Sequence, residues 1–483
     1  MRYNLVLNIL GLISKYIGIL ALVPILVAFL LHESNHILPF LTMGIVALVF
    51  GIIFSRNVAD QKDIDNIKKS ESLAIVFFGW VLFGLISTIP YLFYNLSFTD
   101  ACFEAMSGVT TTGATIMNDF SLFPRSLFFF RSFTQWLGGM GIVVLFIAIL
   151  PKISVAGRQM FYAEAPAPTE DKATPRIRFT ASWLWGIYFA LTVIEVVILR
   201  CLDYGWYTSI VTSLSTISTG GFSHLPTSLC DIHNAKFAIC VLSFMFLSGM
   251  NYILIYRSMK HKKITPLFKS EEFKVYLGII LILGFGLGMS LFLNSHYEIK
   301  QALLNSFFEI VATMTSTGFT LDNYIKWDAT SKVILFSAFF IGGCATSTSG
   351  GMKVIRWIFI FKYLKRELNK IIHPQGVYPI KLEGNAINND VISQMMAFVV
   401  FYLVILGIGA FLILFIEKNI TVALSASASA IANIGPAFGS VGPLDNYQSV
   451  SDATKWILMT LMLAGRLEII PFLAILNKDL WKN

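Results

Sequence analysis

Four short stretches of this chain carry residue types that can take the place of water around a small cation. They read SGVTTTGAT (107–115), STISTGGFS (215–223), ATMTSTGFT (312–320) and SAIANIGPA (429–437). Stacked on a shared glycine, they align Gly113, Gly221, Gly318 and Gly435. Two positions earlier stand Thr111, Thr219, Ser316 and Asn433, and one position earlier Thr112, Gly220, Thr317 and Ile434. Four positions earlier the residue is apolar each time: Val109, Ile217, Met314 and Ile431. Glycine takes left-handed backbone angles without a Cβ penalty. Alternating left- and right-handed residues turn successive carbonyls toward one axis, and rings of such oxygens replace the hydration shell of a dehydrated monovalent cation. One such stretch alone is weak, because Ser, Thr and Gly also serve tight helix–helix contacts in membranes. Four at equivalent places favour the cation reading.

The elements that must hold these stretches follow from composition. Hydrophobic residues make up 56% of the 483 and charged residues 13%, with mean hydropathy +0.71. So much apolar surface with so little charge excludes a soluble enzyme, a disordered chain, a coiled coil and a disulfide scaffold, and leaves a polytopic membrane protein solvated by lipid. Ten segments are long and apolar enough to span a bilayer as helices: 5–31, 38–54, 72–93, 125–150, 181–199, 237–256, 275–294, 333–363, 393–416 and 454–476. The first is read as a retained membrane helix, being longer than a signal-peptide core and lacking a small-residue cleavage site. Of the 36 basic residues, 25 fall in loops on one side and 9 on the other, which places both termini in the cytoplasm. The net charge of +8 is then a loop property, and nucleic acid is not expected as a partner. All four glycine stretches fall on the outer side. The aligned glycines lie 108, 97 and 117 residues apart, with two spans in each interval. The plan is a span, a short descending helix, a glycine loop and a second span, four times over, behind an N-terminal hairpin. Irregular backbone at membrane depth is tolerated where it is buried or lines a watery cavity. The C-terminal, partly negative ends of the descending helices would favour a cation there.

Other features stand beside this plan. The eighth span is interrupted by Gly342-Gly343 and by the small polar run Thr346, Ser347, Thr348, Ser349, Gly350 and Gly351, just before Lys353 and Arg356. Such a break marks a kink or close packing, or a segment flexible and polar enough to act as a gate; the gate is favoured. It is the only broken span evident. Arg466 lies within the last span beside Glu468, and is either paired with it or faces the ion path as an electrostatic barrier. Glu104 and Glu309, nine residues before their glycines, either brace the loops from behind or attract cations. Asp100, Asp119, Asp203, Asp322 and Asp445 lie outside and could concentrate cations. His32, His36, His224, His233, His261, His296 and His373 form no ligand pair, and there is no nucleophile elbow, phosphate-binding loop or paired catalytic carboxylate. Neither catalysis nor an organic cofactor is expected.

The glycine stretches resemble the T-V-G-Y-G filter of potassium channels with its central glycine kept. With QWLGGMGI (135–142), SGMNY (248–252), IGGCATSTSGGMKVIR (341–356), HPQGVYPIKL (373–382) and AGRLE (464–468), the chain resembles the Trk/Ktr/HKT superfamily of potassium transporters over nearly its whole length, most closely the bacterial TrkH-type membrane subunits. That resemblance implies an all-α membrane protein with four M1–pore loop–M2 units around one pore. It implies potassium as the transported ion, an inner-membrane homodimer, and a cytosolic nucleotide-binding regulatory subunit of TrkA type. It implies that glycine in every filter loop goes with potassium selectivity, that serine in the first goes with sodium permeation, and that the break at 346–351 blocks the pore with Arg466 beside it. The fourth loop, Asn433-Ile434-Gly435-Pro436, departs most from the pattern. The units would run 1–71 for the hairpin and its link, then 72–152, 153–263, 264–372 and 373–483. The rival is an ion-coupled carrier of a small solute, which would show two inverted repeats rather than four parallel ones.

Overall fold

The computed structural model describes residues 1–55, 67–141, 177–232, 234–295, 297–387 and 389–482. The basic residues Arg56, Lys62, Lys152, Arg158, Lys172 and Arg176, residues 142–150 of the fourth expected span, and His233 and His296 lie outside the described residues.

The leading hairpin is α1 (Tyr3–Leu20), α2 (Leu22–Leu30) and α3 (Ile37–Phe54). Small residues let it close: a Cβ on Gly11, Gly18 or Gly51 would collide with the facing helix, and the Ser14 hydroxyl donates to Ala47 O at 2.7 Å. The first unit is α4 (Lys69–Leu92), α5 (Phe98–Val109) and α6 (Arg125–Gly139). The second is α7 (Ile177–Cys201), α8 (Trp206–Ile217) and α9 (Ala235–Ser248), continued by α10 (Tyr252–His261) and α11 (Thr265–Lys269). The third is α12 (Glu271–Asn294), α13 (Ile299–Met314), α14 (Ala329–Ala338) and, after a long loop, α15 (Val354–Ile372). A two-residue antiparallel ladder, β1 (Lys381–Leu382) with β2 (Asn385–Ala386), precedes the fourth unit: α16 (Asn389–Glu417), α17 (Ile420–Ala432), α18 (Asp452–Arg466), α19 (Ile469–Leu476) and α20 (Asp479–Lys482).

Chain entry into the inner elements is set by side-chain caps. Ser97 accepts from Asp100 N ahead of α5, and Asn419 from Thr421 N and Val422 N ahead of α17. Asn234, Asp328 and Ser451 do the same for α9, α14 and α18. The descending helices α5, α8, α13 and α17 are buried over much of their length, whereas α16 leaves Val400, Phe411 and Phe415 exposed as a lipid-facing surface.

Among the described residues, six helices are long and apolar enough to cross a membrane: Tyr3–Leu30, Ser34–Phe54, Ser70–Leu92, Ser182–Cys201, Glu271–Asn294 and Val391–Glu417. The expectation of a single broken span is corrected. The sixth expected span bends by 96° between α9 and α10. The tenth breaks at Leu467-Glu468, where Glu468 takes φ 58°. The eighth is open from Phe339 to Lys353, wider than the sequence indicated. At the sixth span apolar residues resume at once, in Tyr252–Tyr256, so hydropathy does not register the bend. Asn251 caps the restart of α10, and that local hydrogen bonding ends one helix and begins the next.

Candidate functional site

Each descending helix ends in the same way. The N–H groups of Thr111, Thr219, Ser316 and Asn433 donate to carbonyls three residues back, at 3.0, 3.0, 3.0 and 3.2 Å. The N–H groups of Thr112, Gly220, Thr317 and Ile434 reach five residues back, at 2.8, 2.9, 2.8 and 2.9 Å. This is a Schellman ending, in which the first of these residues is left-handed and usually glycine. Here φ is 56°, 54°, 54° and 55° at Thr111, Thr219, Ser316 and Asn433. Left-handed angles cost a side-chain-bearing residue about 1–2 kcal/mol each and persist where the surroundings over-determine them. Two residues on, Gly113, Gly221, Gly318 and Gly435 are again left-handed, at 81°, 71°, 74° and 101°, so the expected alternation is present in all four loops.

The four loops meet in a closed ring. A Cβ on Gly113 would run into Gly220 O, one on Gly221 into Thr317 O, one on Gly318 into Ile434 O, and one on Gly435 into Thr112 O. Each loop thus seats its glycine against the next loop's carbonyl, and the fourth returns to the first. These contacts join eight of the twelve loop residues singled out in the sequence, Ile434 and Gly435 of the divergent fourth stretch among them.

Side chains behind the ring hold it. Gln135 of α6, fully buried, donates from Nε2 to Gly220 O at 2.6 Å and accepts from Phe222 N at 3.1 Å. Tyr447 OH donates to Gly435 O at 2.8 Å. Asn433 Nδ2 donates to Thr112 Oγ1 at 3.0 Å and to Met462 O at 2.9 Å. Glu104 accepts from Ile116 N at 3.0 Å and pairs with buried Arg131 at 2.6 Å; Glu309 accepts from Leu321 N at 2.9 Å and Thr320 Oγ1 at 2.7 Å. Both glutamates hold the N–H three residues past the ring glycine, so they brace the loops. In the fourth unit Ser425 Oγ takes that place, accepting from Phe438 N at 3.0 Å. Gln135, Arg131 and Tyr447 were not singled out by the sequence reading, although a glutamine in an apolar helix is a usable signal. Tyr447→Phe removes a single neutral hydrogen bond, a loss of about 1 kcal/mol. A several-fold fall in discrimination between monovalent cations is expected, measured as permeability ratios at unchanged expression.

Cavities lie on both sides of the ring. One, of about 60 Å³, touches Gly113, Gly221, Gly318 and Asp445. Of the outer acids, Asp100 pairs with Lys455 at 2.7 Å, Asp119 caps Ser121, and Asp322 accepts from Tyr297, Asn305 and Trp327; Asp445 lines this cavity. His224, next to the cavity-lining Ser223, is pulled down to about 4 by burial and then by the Arg125 cation, so it is neutral at physiological pH. The second cavity, of about 100 Å³, is lined by Thr346 to Gly351, Arg466 and the C-terminal ends of α6 and α18.

The loop between α14 and α15 closes at its neck, where Gly342 N donates to Met352 O at 2.8 Å and Val354 N to Gly343 O at 3.0 Å. Its tip touches the ring from this side. Gly350 N donates to Ser316 Oγ at 2.6 Å, and Thr348 Oγ1 to Ile217 O at 3.1 Å. Ser347 and Ser349 bond to each other at 2.7 Å; Thr346 and Gly351 are left-handed. Arg466 Nη1 donates to Thr348 O at 2.9 Å, and Nη2 to Gly138 O and Gly139 O at 2.6 and 2.8 Å. It ties the loop to the open end of α6. Glu468 pairs with Arg356, which lies 3.6 Å over the Phe398 ring.

The comparisons with known proteins agree with one another. The model of the TrkH family, described as a cation transport protein, matches residues 40–480. The chain is 34% identical over 488 residues to the Trk system potassium uptake protein TrkH of Salmonella typhimurium, and 33% identical over 488 residues to that of Escherichia coli, each match covering 100% of both chains. The crystal structure of the potassium transporter TrkH from Vibrio parahaemolyticus superposes with TM-score 0.89 at 31% identity, covering 100% of each chain.

Proposed function

Since this chain belongs to the TrkH family of cation transport proteins, we propose that it takes up potassium across the bacterial cytoplasmic membrane through the ring of four glycine loops. The observation that carries the reading is the ring's closure, each glycine seated against the neighbouring loop's carbonyl. A cation arriving from the outer cavity exchanges its water for ring oxygens. The ends of α5, α8, α13 and α17 each add a partial negative charge of about half a unit. Side-chain braces fix the spacing of the oxygens, so an ion of the wrong size gains less from them than from its water. Asp445 stands at the outer cavity and raises the local cation concentration.

Below the ring, residues 346–351 and Arg466 form the gate. Their contacts with Ile217, Ser316 and Gly138 support this reading, since they reach three of the four units from one side. A cytosolic nucleotide-binding subunit of TrkA type moves the gate, the assembly is a homodimer, and both termini are cytoplasmic. These points rest on the family and on the distribution of basic residues.

Reconstitution in liposomes tests the proposal. Potassium and rubidium fluxes are expected to exceed sodium flux at least tenfold, with no accumulation of amino acids, sugars or carboxylates. Solute uptake driven by an ion gradient would instead establish a secondary carrier.

A further inference from the structure

The SGMNY run at 248–252 lies at the 96° bend between α9 and α10, where Ser248 O accepts from Thr348 Oγ1 at 3.3 Å. Asn251 Oδ1 caps α10, accepting from Ile253 N at 3.0 Å and Leu254 N at 3.4 Å. The same oxygen accepts from Thr346 Oγ1 at 2.7 Å, while Nδ2 donates to Glu272 Oε2 at 3.3 Å. Glu272, buried near the start of α12, accepts from Ala345 N through its other oxygen at 2.6 Å. Cys344 N donates to Gly249 O at 2.8 Å. Three consecutive loop residues, 344–346, are therefore held by one cluster built from the second and third units. A buried carboxylate is retained where it gathers donors, and here those donors belong to the loop and to the bend.

We propose that Asn251 and Glu272 are positioning residues that latch the 346–351 loop beneath the ring, so that the bend in the second unit and the loop of the third move together. This rests on reading that loop as the gate. Opening requires Thr346 to leave Asn251 and Ala345 to leave Glu272. The bend at Gly249–Asn251 is then kept because a straight helix would carry the Asn251 side chain away from the loop.

The pair permits a test by exchange of donor and acceptor. Glu272→Gln keeps an oxygen for Ala345 N but turns an amide donor toward the Asn251 amide. Asn251→Asp keeps an oxygen for Thr346 and α10 but sets two carboxylates against each other. In the double variant the new amide donates to the new carboxylate and the remaining contacts are preserved. Potassium flux in liposomes, without any regulatory protein, is expected to rise about tenfold in each single variant, the equivalent of one lost hydrogen bond to a charged group. It should return to within about twofold of the parent in the double variant, a coupling expected of residues in direct contact. Surface level and ion selectivity should not change. In protein lacking residues 346–351, flux is already high and Glu272→Gln should add nothing. Single variants at parental flux, beside a deletion that does raise flux, overturn the latch and leave the gate standing. Elevated single variants without recovery in the double also overturn it. A deletion that leaves flux low overturns the gate, and the latch with it.

Discussion

Gly113→Ser is expected to lower the potassium-over-sodium permeability ratio at least tenfold while the protein still inserts and conducts. Two effects add. At φ 81° a side chain costs about 1–2 kcal/mol in backbone strain. The new Cβ also meets Gly220 O, which cannot yield freely because Gln135 Nε2 holds it at 2.6 Å. Strain shared between two adjacent loops distorts the ring, and each 1.4 kcal/mol of lost preference is a factor of about ten. Gly384→Ser supplies the control. Gly384 is equally left-handed, at 87°, but a Cβ there meets nothing within 4 Å, and it lies on the β1–β2 turn far from the ring in sequence. It should strain the turn and leave selectivity untouched. Reversal potentials under bi-ionic conditions measure both. An unchanged ratio in well-expressed Gly113→Ser would remove the ring from ion selection.

Arg466→Ala should raise potassium flux by up to about thirtyfold and preserve selectivity. Arg466 lines the cavity beneath the ring, so an ion leaving the ring meets its charge. Two unit charges about 8 Å apart at an effective dielectric near 20 repel by about 2 kcal/mol, and that amount in a barrier slows passage about thirtyfold. The same substitution frees Thr348 O, Gly138 O and Gly139 O, which loosens the loop. Arg466→Lys separates the two contributions: it keeps the charge but puts one nitrogen where two reach Thr348 O on one side and Gly138 O and Gly139 O on the other, and should give a much smaller rise. Glu468→Ala behaves differently, because it strands the buried Arg356 guanidinium. Breaking such a pair costs about 3–5 kcal/mol and should appear as lost protein at the membrane. Flux at or below the parental level in well-expressed Arg466→Ala would refute the barrier.

The ring was legible in the sequence because its backbone demands leave a compositional trace. A left-handed glycine pressed against a carbonyl admits no other residue easily, and a Thr, Ser or Asn two positions earlier marks the end of a descending helix. The fourth stretch shares little beyond that glycine and puts an Asn, a side chain that tolerates left-handed angles well, where the others have Thr or Ser, and it still occupies the equivalent place. What supports the ring was not legible. Gln135 and Gly220 are 85 residues apart and meet only through packing of the first unit on the second. The match of Glu104 with Glu309 was visible, but their role as braces depends on which N–H groups lie within reach. The broken inner helices were missed where apolar residues continue through the break, as in MNYILIY after Gly249. There, one asparagine side chain outweighs the hydropathy of the whole segment.

The ring's last contact, Gly435 against Thr112 O, joins residues 323 positions apart. During synthesis the first three units are threaded into the bilayer while that seat at Thr112 is still vacant. On the function proposed above, the ring is complete only once the fourth unit has docked against the first.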